Sequence, residues 1–483
     1  MSAGWTIALG ATLIVFVCAM FGLSLAVRDK VNSVDDFVVA GRRLPFWLAM
    51  PGLFATWFGA GTLLTATDEV RAGGLKLIAL EPLGSGLCLV VAGFFFAERL
   101  WNMKLLTIID FYRLRFGVRA EFLAGLLMVP GYLGWIAAQF IALAELLELF
   151  FGLPVMSGIV LVAALGTAYT LIGGMWSVTL TDAVQVALLV IGLVILGINV
   201  VSALGEGDWL AGTQRLWNSI PTHQRVVFPT ETLSEAVRWL TLLAVASLGN
   251  IPAQDLTQRI FASESSTTAR RACTAAGMAY IVFGMLPVLI GLGTAALVPS
   301  PEGSALAAIA SAYMHPATLI VFLLAIFAAV LSTIDSALLS PATVLAQNIA
   351  PKIPALARRE IDGLVLNRWM VGLVTLLSLV LAFSGASAFE LLESAYAAGL
   401  VALLVPLAIG LYSRAGDESA ALGAMLVATG VWSAHLAVGA EDFLGQSPLM
   451  PATLASTLIG ALVYVLFATF KRTQSDDTSR EFD

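Results

Sequence analysis

The chain has 483 residues, of which 59% are apolar and 12% charged, with a mean hydropathy of +0.92; a soluble globule carries about a quarter charged residues, so an ordinary soluble fold is excluded. Lys and Arg number 25 against 32 Asp and Glu, a net charge of −7 with no basic face, which sets nucleic acid aside as a partner. Cys18, Cys88 and Cys273 lie in or beside apolar runs with no C-x-x-C or Cys/His clustering, which argues against disulfide scaffolding, structural zinc and iron–sulfur centres.

No polar stretch is long enough for a separate soluble domain, so residues 1–483 read as one all-α polytopic membrane domain. A helix needs about 20 apolar residues to cross about 30 Å of hydrocarbon. Runs of that order predict about 13 transmembrane helices, at 4–27, 44–67, 75–97, 120–151, 155–174, 178–204, 236–258, 272–298, 317–348, 364–385, 387–412, 417–438 and 451–470. Residues 1–27 hold no Lys or Arg, and their apolar core is too long for a cleaved signal peptide, so they are expected to remain as the first span.

Cytoplasmic loops carry the excess of Lys and Arg. With the N-terminus outside, the outer loops hold only Arg71, Lys76, Arg215, Arg225 and Arg238 of the 25 cations. The others, Arg42, Arg43, Arg113, Arg115, Arg259 and Lys352 among them, fall on the cytoplasmic side. The reading places the C-terminus in the cytoplasm, leaves no cation near the middle of a span, and locates the chain in the plasma (inner) membrane.

Two spans carry helix breakers at membrane depth. The second reads Leu53-Phe54-Ala55-Thr56-Trp57-Phe58-Gly59-Ala60-Gly61-Thr62, the seventh Ser247-Leu248-Gly249-Asn250-Ile251-Pro252-Ala253-Gln254-Asp255. Lipid cannot satisfy freed N–H and C=O groups, so irregular backbone there is buried in protein or lines a cavity. Each stretch begins a group of five spans, two to six and seven to eleven, and an odd number inverts the second group relative to the first. Interrupted helices at matching positions of inverted halves point to the midplane site of a secondary transporter. Small residues in membrane helices also serve close packing, and no residue-level repeat links the halves.

The ninth span is polar on one side. Ala329, Ser332 or Thr333, Ser336, Ser340, Thr343 and Gln347 share a helical face, and Asp335 lies in the same turn. Adjacent hydroxyls with free carbonyls suit a hard cation such as sodium, which wants oxygen ligands and no soft donor. Hydroxyls bonded back onto their own helix are the alternative, though that leaves the intramembrane carboxylate unexplained.

Here the sequence resembles a family. Ala329-Val330-Leu331-Ser332-Thr333-Ile334-Asp335-Ser336 is similar to the sodium-site signature of the sodium:solute symporter family, whose core is a five-plus-five inverted repeat (LeuT-like fold). Asp36-Phe37-Val38-Val39-Ala40-Gly41-Arg42-Arg43, Ala55-Thr56-Trp57-Phe58-Gly59, Asp110-Phe111-Tyr112-Arg113, Ile172-Gly173-Gly174-Met175-Trp176 and Gln254-Asp255-Leu256-Thr257-Gln258-Arg259 agree in order and spacing, over about residues 5–415. The resemblance implies an extra span and loop at 1–43, repeats at 44–204 and 236–412, accessory spans at 413–470 and a cytoplasmic tail at 471–483.

It also implies site residues. The sodium ligands would be the carbonyls of Ala55, Phe58 and Ala329 with the hydroxyls of Ser332 and Thr333. A further cation or proton site, found in some members, would use Asp182, Ser332, Asp335 and Ser336. Substrate is expected between the two breaks and spans three, four and eleven, with Trp57, Thr62, Glu81, Gln139, Asn250, Gln254, Glu393 and Tyr396 as candidates. Glu81 stands out as an intramembrane carboxylate whose spacing matches a substrate-binding glutamate of the family's sugar transporters. His435 is read as an interfacial or structural histidine.

The function implied is sodium-coupled import of a small polar organic solute by alternating access, with sodium, the solute and the bilayer as partners and no obligate protein partner. A proton-coupled transporter of the same fold and a transporter-like membrane sensor are the alternatives. No G-x-S-x-G, H-E-x-x-H or comparable motif supports an enzyme. Sugars, amino acids, polyols, nucleosides and small amines all stay open as substrates. A strongly anionic solute is disfavoured, because no buried Lys or Arg is expected to hold it.

Overall fold

The computed structural model describes residues 3–298, 304–359, 361–384, 397–444 and 447–480. It begins with α1 (Ala3–Ala26), a helix apolar all round and mostly uncovered, as a span facing lipid on several sides can be. A short α2 (Val34–Val39) follows, its N-terminus capped by the Ser33 side chain accepting from the Asp36 N–H. Then α3 (Phe46–Trp57) stops at Phe58, whose φ of −78° and ψ of 58° leave the helical region. A π-helical turn, Gly61–Thr65, restarts the helix and leads into α4 (Ala66–Gly73). The two pieces meet at 63°, so the expected first break is present.

The third span is assembled from α5 (Leu83–Val91), a π turn at Ala92–Phe96 and α6 (Ala97–Asn102). α7 (Ile108–Arg115) lies between spans and opens with a capping box from Thr107 and Asp110. α8 (Val118–Phe151) ends at Gly152 with a φ of 66°, a left-handed cap. α9 (Val155–Gly205) joins the fifth and sixth predicted spans through one residue, Gly174, at φ 50° and ψ −141°. A Cβ there would sit 2.4 Å from the Phe37 carbonyl oxygen, so a side chain is excluded by both conformation and space. The expected loop at 175–177 is therefore helix.

α10 (Trp209–Ser219) packs back on α9, and α11 (Leu233–Gly249) with α12 (Gln254–Ala262) forms the second broken span, bent by 42°. After α13 (Ser266–Leu297) and α14 (Ala305–Tyr313) comes α15 (Pro316–Val344), which packs against α3, α8, α9, α12 and α17 (Gly363–Ala382); the one-turn α16 (Pro354–Ala357) lies between α15 and α17 in the chain. Helices Val405–Tyr412, Glu418–Ala437 and Ala452–Arg480 complete the described chain, with a small antiparallel ribbon of Asp442–Phe443 and Ser447–Pro451.

Among the described residues nine helices are long and apolar enough to cross a membrane, or eleven if each bent pair counts as one span; Val155–Ala168 and Gly399–Tyr412 are shorter apolar helices. Burial sorts these helices. The best window of the α15 span is 78% buried against 17% for the α1 span, so the Ser/Thr-rich helix is the central post and α1 a peripheral one.

Candidate functional site

Where α3 stops, its last carbonyls have no next turn to bond. The Ala55 carbonyl turns to α15 instead: its oxygen is 3.4 Å from Ser332 Oγ and 3.3 Å from Thr333 Oγ1. The same hydroxyls are 2.7 and 3.1 Å from the Ala329 carbonyl oxygen. Ala55, Ala329, Ser332 and Thr333 thus bring four oxygens together in the protein interior, with every side chain at most 2% exposed. Phe58, the fifth predicted ligand, is the buried residue at which helical geometry ends. Gly59 makes the approach possible, because a Cβ there would lie 2.4 Å from Thr333 Oγ1. Oxygens alone, two carbonyls and two neutral hydroxyls, fit a hard monovalent cation.

Of the expected second cation site, Asp335 and Ser336 follow Ser332 along α15, in different company. Asp182 of α9 is fully buried and its Oδ2 is 3.2 Å from Arg259 Nη2, itself 1% exposed. That nitrogen also donates to Ser336 Oγ at 2.5 Å, while Nε donates to the Gly52 carbonyl at 3.0 Å and Nη1 to the Asp255 carbonyl at 3.2 Å. Arg259, expected in a cytoplasmic loop, is instead a guanidinium buried in the protein and tied to α3, α9, α12 and α15. The expectation of no buried cation is corrected accordingly. Among the described residues, Asp182 Oδ1 and Asp335 Oδ1 are buried without a hydrogen-bond partner.

The cavity lies between the two breaks. Trp57 comes from the first, Gly249, Asn250, Pro252 and Ala253 from the second, Tyr132 and Trp135 from α8, Ser85 from α5 and Ala398, Gly399 and Leu403 from the eleventh span, with Asp255 in the wall. Asp255 organises the aromatics: Trp57 Nε1 donates to Oδ2, Tyr132 Oη to Oδ1, and the Asp255 N–H donates back to Tyr132 Oη at 3.0 Å. Among the described residues no cation is bonded to this carboxylate. An indole, a phenol and a second indole beside a carboxyl group form a pocket with negative ring faces, suited to a small organic cation.

Of the expected substrate residues, Trp57 and Asn250 line this space. Glu81 and Thr62 stand behind the wall. Ser85, which lines the cavity, donates to Glu81 Oε1 at 2.6 Å, while Thr62 Oγ1 and Tyr280 Oη lie 3.1 and 3.0 Å from Oε2. Gln139 is tied to the first break, its Oε1 accepting from the Ala60 N–H at 3.1 Å. Gln254 faces the other way: its Oε1 accepts from the Ile108 N–H at 2.8 Å, which makes it an anchor for α7 and removes it from the cavity. Glu393 and Tyr396 lie outside the described residues. His435 spends both ring nitrogens on backbone, Val431 O and Leu444 N, as a structural histidine does.

Asp255, Tyr132, Trp135, Ser85 and Arg259 were not anticipated in these roles. Asp255 and Arg259 stood inside a recognised motif, and two acid–base partners four residues apart in an apolar span were the available signal. The two α8 aromatics carried none, since a lone aromatic in a membrane helix reads as packing.

The geometry can be set beside known proteins. A family model described as the sodium:solute symporter family matches residues 37–428. High affinity choline transporter 1 of Homo sapiens is 30% identical over 337 residues, covering 65% of this chain and 56% of that protein. The sodium/glucose cotransporter of Vibrio parahaemolyticus is 25% identical over 304 residues, 60% of this chain and 55% of that one. The chain thus spans little more than half the length of these curated relatives. Among solved structures, a substrate-bound, outward-open Na+-coupled sialic acid symporter aligns with a TM-score of 0.76 at 21% identity, over 96% of this chain and 97% of that one. A nucleobase-cation-symport-1 family transporter in a closed conformation aligns with a TM-score of 0.60 at 16% identity, over 93% and 96%. These two likenesses establish a shared fold.

Proposed function

The chain belongs to the sodium:solute symporter family, and from that premise we propose that it is a sodium-coupled symporter importing a small quaternary or tertiary amine of the choline class. It is a multi-pass membrane protein. The topology read from its Lys and Arg would put the N-terminus outside and the C-terminus in the cytoplasm of an inner-membrane transporter, with repeats at 44–204 and 236–412 moving against each other.

One observation carries the substrate assignment: Trp57, Tyr132 and Trp135 border the cavity between the breaks, with the Asp255 carboxylate in its wall bonded to two of them. A cation over each ring is worth about 0.5–2 kcal/mol, and more where water is excluded. Neutral polyols and sugars gain nothing from the charge of Asp255, and anions are repelled by it. The choline transporters among the relatives support the same class.

Sodium would be held by the Ala55, Phe58 and Ala329 carbonyls and the Ser332 and Thr333 hydroxyls. These belong to α3 and α15, so an ion here ties the first broken helix to the central post. Trp57 lies two residues beyond Ala55, which connects the occupied ion site to the aromatic wall along one turn of α3. Inward movement of one charge through 100 mV is worth about 2.3 kcal/mol, enough to drive accumulation. Opening toward the cytoplasm would separate α3 from α15 and release the ion.

The test is uptake of radiolabelled choline into proteoliposomes under an inward sodium gradient. Accumulation that disappears in potassium, and in Thr333→Ala, is expected. Uptake that follows a proton gradient and ignores sodium would transfer the assignment to a proton-coupled transporter.

A further inference from the structure

The resemblance implied a second cation site built from Asp182, Ser332, Asp335 and Ser336, and the residues present do not fit it. Two of the four are already joined by a cation of the protein's own. Arg259 Nη2 lies 3.2 Å from Asp182 Oδ2 and 2.5 Å from Ser336 Oγ, and the remaining guanidinium nitrogens are fixed by the Gly52 and Asp255 carbonyls. Ser332 Oγ is turned to the Ala329 and Ala55 carbonyls. Among the described residues that leaves Asp182 Oδ1 and Asp335 Oδ1 as the unpaired oxygens of the set, two where a hard cation wants several.

We infer that the Arg259 guanidinium is a tethered cation in the place of a second sodium, so that this chain binds one sodium where the second site would have made two. Two details support a built arrangement. The arginine is 1% exposed, and its planar fork is matched on three sides by named acceptors. A sodium ion bound to Asp182 Oδ2 and Ser336 Oγ would need this guanidinium displaced within the protein interior, with its two other acceptors, the Gly52 and Asp255 carbonyls, abandoned.

The inference rests on the sodium reading of the Ala55–Thr333 site for the count of one, and the experiment separates the two. Equilibrium binding of radiolabelled sodium to the purified full chain, without solute, should give one ion per chain, lost in Thr333→Ala. Arg259→Gln should raise the count by one, and Arg259→Gln with Asp182→Asn should bring it back. Two ions in the wild-type protein, one of them lost in Asp182→Asn, would overturn the inference without any need for the arginine variant to fold. No ion in the wild-type protein would refute the Ala55–Thr333 reading instead. The arginine variant then decides alone: a sodium gained supports the tethered cation, and none gained overturns it.

Discussion

Asp255 and Asp182 are both buried acids set against α3, one at Trp57 and the other at Gly52, about 7–8 Å apart along the helix axis. Their partners differ in kind. Asp182 meets a guanidinium, so its charge is cancelled within the protein, whereas Asp255 meets an indole N–H and a phenol O–H, which steady it and leave the charge standing. A carboxylate in low dielectric is costly unless paired. The pair at Asp182 therefore reads as architecture, and the unpaired charge at Asp255 as one reserved for a positively charged cargo.

Substitutions that exchange the two situations break this contrast most severely. Asp182→Asn strands Arg259 in the interior and should cost about 3–5 kcal/mol of stability; adding Arg259→Gln should restore most of the loss, as read by thermal denaturation. Asp255→Asn should leave the melting temperature nearly unchanged while weakening choline binding by about 100-fold, or about 3 kcal/mol. An equal loss of stability in both variants would erase the distinction. Tyr132→Phe removes one donor to Asp255 and should raise the choline Kd by about tenfold, near 1.5 kcal/mol. Trp135→Phe keeps a weaker ring face, and a few-fold loss, about 0.5–1 kcal/mol, is expected. Gln254→Ala should not change choline affinity at all, since that amide holds α7.

What could be read from the sequence follows the range of the interactions. The breaks at Phe58–Ala60 and Asn250–Ala253 and the hydroxyl pair of α15 are local, each written in a few neighbouring residues, and they stood out before any fold was known. The cage is not local: Tyr132 and Asp255 are 123 residues apart, and nothing near either one announces the other. Arg259 was placed in a loop because it falls just past the predicted span 236–258, yet α12, set at 42° beyond the break, runs on to Ala262 and buries it. Gln254 failed for the same reason, since its nearness to Asn250 in sequence does not survive that bend. Gly174 compresses an expected three-residue turn into one left-handed residue, a feature visible only once α2 is seen packed against it.

The most direct test of the account is equilibrium binding of radiolabelled choline to the purified protein in NaCl and in KCl at equal ionic strength. If sodium at Ala55, Ser332 and Thr333 prepares the Trp57 wall, choline should bind about tenfold tighter in sodium, a coupling of the usual size between linked sites, and the difference should vanish in Thr333→Ala. Equal affinity in the two salts, or a sodium effect that survives Thr333→Ala, would contradict it.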